Sequence, residues 1–402
     1  MPWTSALSFK NGGAGLLGAG AAAFAETTEL AERYGAVDLG AGVPDFDPPS
    51  ALLDAATDAL RGGANQYSPS HGLADLREAV ARHALDHYRL EYDAESQVTV
   101  TAGATEAFSS IVSALVRPGD EVVLVEPCLP LYRECVHAAG GTAHAVATRF
   151  PDFGLDPDDL AAAFGPRTRL AILNTPANPS GKQLTSEELA AIGELAEEHD
   201  VLLVSDEAYE HVLPGDVDHV PVASDPACRA RTLTVSSISK TFAATGWRIG
   251  WMMAPSYLTE AVRPTHRRAV YAAPTPLQHA AATMLVEAGA TGYLARLRRD
   301  CRERRDVLLR ALEGTALEPA TPSGGYFILA RGEGDGRALC RELLEGTGVA
   351  ALPGSSFWSR PEDGRSLVRF AFCKRVETLA EAGRRLGRPA VGVPVDRWST
   401  EK

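Results

Sequence analysis

The 402-residue sequence contains no CxxC pair, and its six cysteines follow no regular spacing. This absence excludes a disulfide framework and a cysteine-based zinc site as explanations of the fold. We therefore expect free thiols in a reducing cytoplasm, and we predict no metal site. The cysteines are Cys128, Cys135, Cys228, Cys301, Cys340 and Cys373.

Long apolar runs and basic stripes are missing as well. No stretch approaches the length of a membrane span. The formal net charge of −13 is spread along the chain, so we expect neither a nucleic acid nor a membrane as a partner. The Gly/Ala-rich segment Gly12–Ala25 resembles a signal peptide, but five glycines interrupt it and Lys10 alone precedes it as a basic residue. We predict that this segment is a mobile N-terminal arm.

The chain does contain a series of short apolar runs with little alternation of apolar and polar residues. Such runs, separated by helical stretches such as 104–116 and 186–198, indicate a buried, mostly parallel sheet covered by helices. The predicted fold class is α/β, in which ligands lie beyond the carboxyl ends of the strands. The runs are QVTVTAG from residue 97, EVVLVEP from 121, RLAILNTP from 169, VLLVSDE from 201, RTLTVSS from 231 and RIGWMMAP from 248.

Long, charged, helix-forming sequence begins after Thr275 and predicts a second, smaller α+β domain. A chain of 402 residues forms two domains more naturally than one. Two strand candidates, 325–330 and 366–373, and a last helix, 376–386, follow. The predicted divisions are an N-terminal arm with part of the small domain at 1–50, a large domain at 51–284, a small domain at 285–388 and a tail at 389–402.

Lys240 lies in the segment VSSISKTFAATGWRIGW, which starts at residue 235. A neutral lysine amine is a nucleophile that condenses with an aldehyde to form a Schiff base. Ser237, Ser239 and Arg248 are suited to holding a phosphate, which arginine binds through two parallel hydrogen bonds. A surface position at a helix end is the alternative for Arg248. Pyridoxal 5′-phosphate is an aldehyde that carries a phosphate, so the segment predicts a site for this cofactor.

Asp206 follows an apolar run, where its carboxylate is expected to be partly buried at a strand end. An unpaired buried carboxylate is costly, so a cationic partner is expected. A protonated pyridine nitrogen fits, because a carboxylate raises the pKa of that nitrogen and the cationic ring accepts electrons from a carbanion. The alternative is that Asp206 caps a helix formed by DEAYEHV.

Two further turns follow predicted strands. In 174–181, prolines restrict the backbone around Asn178, although such a segment is also common as a plain turn. In TAGATEA, from residue 101, the free N–H groups of Ala104 and Thr105 and the Thr105 hydroxyl are suited to a phosphate, which Gly103 lets approach closely. Structural Gly-rich turns of this kind are widespread.

Arg369 is predicted to lie within an apolar strand, SLVRFAFC, where an unpaired guanidinium would be expensive. An anionic partner is therefore expected. A structural salt bridge is the alternative to a ligand.

The segment around Lys240 resembles the active-site lysine motif of the class I/II aminotransferases, which are fold-type I enzymes of pyridoxal phosphate. Further segments, from about Ala23 to Arg385, are similar in order and spacing to the kynurenine and methionine aminotransferase branch. The resemblance implies that Tyr209 and Asn178 hydrogen-bond the cofactor's ring oxygen. It also implies that Arg369 binds the substrate α-carboxylate.

The same resemblance implies a homodimer with shared active sites. Tyr67 would reach the phosphate of the neighbouring subunit, and Tyr271 would line the partner's site beside an apolar or aromatic substrate. The backbone of Gly42 would touch the substrate carboxylate. Arg267 and Arg268 leave an anionic substrate open.

Leu129 departs from the family pattern, which usually has an aromatic residue there, stacked on the cofactor ring. An aliphatic side chain loses a stacking contribution of roughly 0.5–1.5 kcal/mol. We predict an aminotransferase that moves the amino group of an α-amino acid to a 2-oxo acid through Lys240. The alternative is β- or γ-elimination, γ-replacement or oxidation with the same cofactor, and Leu129 favours it; a compensated neutral exchange would also explain Leu129.

Overall fold

The computed structural model describes residues 19–387. Its helices are α1 (Ala19–Tyr34), α2 (Ser50–Arg61), α3 (Ala74–Tyr88), α4 (Ala104–Leu115), α5 (Pro130–Ala138), α6 (Pro157–Ala163), α7 (Ser186–Glu198), α8 (Pro226–Arg229), α9 (Ile238–Thr241), α10 (Ser256–Ala269), α11 (Thr275–Ala290), α12 (Tyr293–Leu312), α13 (Gly336–Thr347) and α14 (Val376–Arg385). Its strands are β1 (Val37–Asp38), β2 (Val98–Thr101), β3 (Glu121–Glu126), β4 (Thr142–Ala147), β5 (Thr168–Asn174), β6 (Leu202–Asp206), β7 (Thr232–Ser237), β8 (Gly250–Met253), β9 (Glu318–Pro319), β10 (Phe327–Arg331), β11 (Val349–Ala350), β12 (Leu352–Pro353) and β13 (Leu367–Ala371).

A seven-stranded sheet in the order β2-β8-β7-β6-β5-β3-β4 forms the larger part of the fold. The five adjacent strands β7, β6, β5, β3 and β4 are parallel to one another. Strand β8 runs antiparallel to both of its neighbours, β2 and β7. Successive residues of one strand enter different cores: Ile172 packs in one apolar cluster, and Ala171 and Leu173 pack in another. Because both faces are covered, the strands appear in the sequence as continuous apolar runs. The predicted α/β class is confirmed.

Two local predictions differ from the structure. The edge strand β4 was not predicted, because most of its side chains are only partly buried and its apolar pattern is correspondingly weak. The predicted mobile arm is wrong from Ala19 onward, where α1 begins. Alanine is the best helix former, and Ala31 anchors this helix against Leu344 and Ala350. The rest of the arm, and the predicted tail at 389–402, lie outside the described residues.

A second, antiparallel sheet has the order β12-β13-β10-β9. Its two longest strands pair in register from Phe327 opposite Ala371 to Arg331 opposite Leu367. The N-terminal segment joins this region, because β1 pairs in parallel with β11. The division into domains at residues 50, 284 and 388 stays a prediction.

Within the described range, no helix has both the length and the apolar character that crossing a membrane requires.

Candidate active site

A cavity of about 710 Å³ opens beyond the carboxyl ends of the parallel strands. Most of the predicted site residues line it: Gly42, Ala104, Thr105, Leu129, Asn178, Asp206, Tyr209, Ser237, Ser239, Lys240, Arg248 and Arg369. They come from the ends of β2, β3, β5, β6 and β7 or from the segments that follow these strands, from the segment after β1 and from β13. The fold thus brings together groups that are far apart in the sequence, at the edge where ligands bind in such sheets.

Lys240 belongs to α9, one turn of helix directly after β7. Its Nζ lies 5.6 Å from the ring centroids of both Tyr209 and Tyr326. Burial lowers the pKa of Lys240 below its ordinary value, although the charge of Asp206 opposes this effect. At a given pH, a larger share of the amine is therefore neutral and nucleophilic.

Asp206 is buried at the end of β6, with 5% of its surface exposed. Its Oδ2 accepts a hydrogen bond of 2.6 Å from the Tyr132 hydroxyl, and its Oδ1 accepts one of 3.1 Å from Ala208 N. No lysine or arginine among residues 19–387 forms an ion pair with it. Burial raises the pKa of Asp206, which the Tyr132 hydrogen bond partly offsets. The alternative role as a helix cap is wrong, because a turn and not an α-helix follows this strand.

The N-terminus of α4 also lines the cavity, through Ala104 and Thr105. Gly103 precedes this helix with a φ of 80°, and a Cβ there would lie 2.4 Å from Arg248 Nη2. Arg248 Nη2 donates to the Thr105 hydroxyl at 3.3 Å, and Nη1 donates to Thr245 O at 3.0 Å. The guanidinium and the free N–H groups of the helix end therefore converge where glycine leaves space, an arrangement that suits a phosphate.

Arg369 also lines the cavity and is only 1% exposed. Its Nη1 donates to Asn178 Oδ1 at 3.0 Å, and its Nη2 donates to Gly40 O at 2.6 Å. Its Nε has no hydrogen-bond partner, and no carboxylate in the described part of the chain pairs with it. Burial lowers the pKa of Arg369 to about 10, which keeps the group charged at neutral pH. The alternative for Arg369, a structural salt bridge, is not formed within residues 19–387.

Gly42 and Leu129 line the cavity as well. The Gly42 carbonyl accepts a hydrogen bond of 2.9 Å from the Tyr326 hydroxyl. Leu129 precedes the first turn of α5 and lines the cavity together with Phe108.

Tyr67 and Tyr271 do not line this cavity. Their rings lie edge to face on the surface with centroids 5.2 Å apart, and Tyr67 is 86% exposed. Within one chain the structure therefore separates these two predicted residues from the others.

Sequence reasoning missed several side chains of the site. Tyr132 binds Asp206, and the rings of Phe327 and Phe24 lie 4.1 and 5.0 Å from the Arg369 guanidinium carbon. An arginine surrounded by aromatic faces is stabilised by cation–π contacts. Aromatic residues are equally common in plain cores, so their sequence positions carried no distinguishing signal.

A buried lysine with a lowered pKa, a buried carboxylate without a cation and a phosphate-type helix end surround one cavity, and this set defines an enzyme that holds pyridoxal phosphate. The residues fit this cofactor, because the space at Gly103 beside Arg248 suits a phosphate and Asp206, which forms no ion pair within residues 19–387, suits a protonated ring nitrogen.

A family model, aminotransferase class I and II, matches residues 34–386. The chain belongs to this family, whose members depend on pyridoxal phosphate, and the predicted cofactor and fold type are confirmed.

Three known proteins illustrate the similarity. The structure of N-succinyldiaminopimelate aminotransferase from Mycobacterium tuberculosis matches with a TM-score of 0.87 and 43% identity, over 90% of this chain and 96% of that one. Methionine aminotransferase of Escherichia coli is 38% identical over 371 residues, 91% of this chain and 95% of that protein. Kynurenine–oxoglutarate transaminase 1 of Mus musculus is 33% identical over 396 residues, 90% of this chain and 93% of that protein. The predicted aminotransferase activity is thereby supported across most of the chain.

Proposed function

We propose that this aminotransferase identifies its substrate through Arg369, which binds the α-carboxylate of an amino acid. The supporting observation is a buried guanidinium without a carboxylate partner in the described chain and with a free Nε. A buried charge without an opposite charge is costly, and a carboxylate ligand removes that cost through charge-assisted hydrogen bonds. The backbone of Gly42 lies beside the same space and would touch the carboxylate.

The cofactor is proposed to lie with its ring nitrogen at Asp206 and its phosphate at the N-terminus of α4. There, pyridoxal phosphate supplies an aldehyde for Schiff-base formation and a ring that accepts electrons from the substrate α carbon. Asp206 keeps the ring nitrogen protonated, since its carboxylate has no other cationic partner among the described residues. Tyr209 and Asn178 hydrogen-bond the ring oxygen.

The phosphate is proposed to bind the N–H groups of Ala104 and Thr105, which Gly103 exposes, and the guanidinium of Arg248. Ser237 and Ser239, which line the same cavity, complete this set of ligands. A phosphate held at several points fixes the cofactor while its other end reacts.

Lys240 Nζ is proposed to be the group that binds the cofactor covalently and then moves the proton from the substrate α carbon. The amine is positioned by a single turn of helix between Ser239 and Thr241. Its lowered pKa favours the neutral form that both steps require.

The proposed donor is an α-amino acid with a neutral, apolar side chain, and the acceptor is a 2-oxo acid. Lys240, Arg248 and Arg369 are the cationic residues that line the cavity within the described chain, and each has a role already. Glu29 and Glu32 line its outer part, and their charges disfavour an anionic substrate side chain. The Escherichia coli and Mus musculus relatives are named for methionine and kynurenine, which are not anionic in their side chains. The Mycobacterium tuberculosis relative is named for N-succinyldiaminopimelate, which is anionic there, so this compound is the competing donor that the test below includes.

A cytoplasmic homodimer is proposed as the active form. The exposed rings of Tyr67 and Tyr271 lie together on the surface and are suited to contact a second copy of the chain. In the dimer, Tyr67 would reach the partner's phosphate and Tyr271 the partner's substrate.

The test is a single-turnover reaction of purified holoenzyme with a panel of amino acids and no 2-oxo acid, followed by absorbance and mass spectrometry. The panel contains methionine, kynurenine and N-succinyldiaminopimelate. We expect one equivalent of 2-oxo acid and pyridoxamine phosphate per site from the neutral substrates. A product that has lost a side-chain group, or oxygen consumption, would overturn transamination in favour of elimination, replacement or oxidation.

Two lysine variants calibrate this test. Lys240→Ala should give no product and no covalent cofactor. Lys182→Ala is the matched control, because Lys182 pairs with Glu188 at 3.0 Å outside the cavity and should leave the reaction intact. Full activity in Lys240→Ala would contradict the proposal.

A further inference from the structure

A second cluster of ligand-type side chains lies behind the active site. His83 projects from α3, and Glu210 and His211 belong to the turn that follows β6. His83 and Glu210 are buried, and the side chain of His211 is 11% exposed. None of the three lines the cavity of about 710 Å³, so the cluster is separate from the proposed cofactor site.

The three donor atoms converge on one point. His83 Nε2 and His211 Nε2 lie 2.9 Å apart, and Glu210 Oε2 lies 3.4 Å from the first and 3.7 Å from the second. Tetrahedral zinc with bonds of about 2.0–2.1 Å places its donor atoms about 3.3 Å apart. The observed distances bracket this value, so a small cation fits between the three atoms with only minor adjustment.

The surroundings orient the carboxylate and leave room for a fourth ligand. The Tyr88 hydroxyl donates to Glu210 Oε2 at 2.7 Å, and the Ser236 hydroxyl donates to Oε1 at 2.5 Å. Such outer contacts hold metal ligands in place in known sites. A cavity of about 10 Å³ adjoins the cluster and has the size of a single water molecule.

We propose that His83, Glu210 and His211 bind a divalent transition-metal ion, Zn²⁺, with a water molecule as the fourth ligand. Two imidazoles and one carboxylate are a ligand set that zinc accepts, whereas Mg²⁺ and Ca²⁺ prefer oxygen alone. The ion ties α3 to the turn that follows β6 and contains Tyr209, so its role is structural. The proposal does not depend on the cofactor, because none of the three donor residues lines the cavity of the proposed cofactor site.

The alternative is a hydrogen-bonded His83–His211 pair without an ion. The two are distinguished by titrating the EDTA-dialysed holoenzyme with Co²⁺, whose visible bands report tetrahedral nitrogen and oxygen ligands, and then displacing it with Zn²⁺. We expect one ion per chain, together with a higher Tm that EDTA reverses. A titration without a tetrahedral cobalt spectrum, or without a stoichiometric end point, would overturn the proposal.

Variants locate the ion. His211→Ala and Glu210→Gln should each weaken Co²⁺ and Zn²⁺ binding by at least about tenfold. His137→Ala removes an exposed histidine elsewhere and is the matched control for surface binding, so it should change nothing. Equal losses in the control and the cluster variants, or none in either, would show that the ion is not bound at this cluster. If His211→Ala does not fold, the wild-type cobalt titration decides the question alone.

Discussion

Two buried carboxylates stand side by side at the end of β6 and differ in what surrounds them. Asp206 faces the cavity and accepts from Tyr132 and Ala208 N, which are both neutral. Glu207 is also buried, but its Oε2 lies 2.9 Å from His219 Nε2 and its Oε1 accepts from the Ser205 hydroxyl at 2.7 Å. One carboxylate is satisfied within the protein and the other still requires a cation.

This difference assigns a ligand-binding role to Asp206 and a structural role to Glu207, although the two residues are adjacent in the sequence. A buried charge without an opposite charge costs free energy until a ligand arrives, whereas a buried carboxylate such as Glu207, which has several hydrogen-bond partners within the chain, does not require a ligand. The same contrast holds for arginines: Arg369 has no carboxylate partner in the described chain, while the buried Arg77 pairs with Glu95 at 2.7 Å. Buried but unpaired charges therefore mark the ligand-binding end of this sheet.

The largest expected effect comes from replacing each of the two neighbouring carboxylates with its amide. Asp206→Asn should lower kcat by about a hundredfold or more, because the ring nitrogen loses its counter-ion during the reaction. Glu207→Gln should change kcat by less than about threefold, since its hydrogen bonds lie away from the cavity. Steady-state rates of both variants measure the contrast. Similar losses of kcat in the two variants would show that Asp206 has no role in the reaction that Glu207 lacks.

The arginine pair extends the comparison to substrate binding. Arg369→Lys should raise KM for the amino acid by about 30- to 100-fold, or about 2–3 kcal/mol, because lysine cannot reproduce two parallel hydrogen bonds to a carboxylate. Arg77→Lys is the matched control and should lower Tm while KM stays the same. An unchanged KM in Arg369→Lys would assign the α-carboxylate to another group.

In the cofactor-free protein, the pH dependence of the free energy of unfolding also distinguishes Asp206 from Glu207. The pKa of Asp206 is raised, so its contribution to stability is complete below its ordinary value of 3.8 and is lost as pH rises through the folded-state pKa. Asp206→Asn should therefore be more stable than wild type at neutral pH, with a difference that narrows on acidification. Glu207→Gln should instead be less stable, by about 1–3 kcal/mol. Urea unfolding across pH measures both, and a destabilised Asp206→Asn at neutral pH would refute the argument.

The sequence predicted much of this edge of the sheet and less of its surroundings. Lys240, Asp206 and Arg369 were recognisable because a polar residue after or within an apolar strand is unusual and a resemblance assigned it a role. The Tyr132 contact could not be predicted, since it joins α5 to β6 across 74 residues and leaves no periodic signal.

The histidine cluster was missed for the same reason. His83 and His211 are 128 positions apart and match no metal-binding spacing, so the sequence predicted no metal site. A cluster of this kind is found only in the folded structure, where the topology places α3 beside the turn that follows β6.

The smallest expected effect concerns Leu129, whose side chain and the ring of Phe108 line the same cavity. If Leu129 leaves a ring face of the cofactor without an aromatic neighbour, Leu129→Phe should strengthen cofactor binding by about 0.5–1.5 kcal/mol, or about 2- to 12-fold in Kd. Equilibrium dialysis of the cofactor-free protein measures the change. Unchanged or weaker binding would mean that Leu129 already fills the space and that its exchange in the family pattern is compensated, with Phe108 as the nearby ring to vary next. Apart from the covalent bond to Lys240, the cofactor would then be held mainly by the buried carboxylate of Asp206 and by the phosphate ligands at the N-terminus of α4.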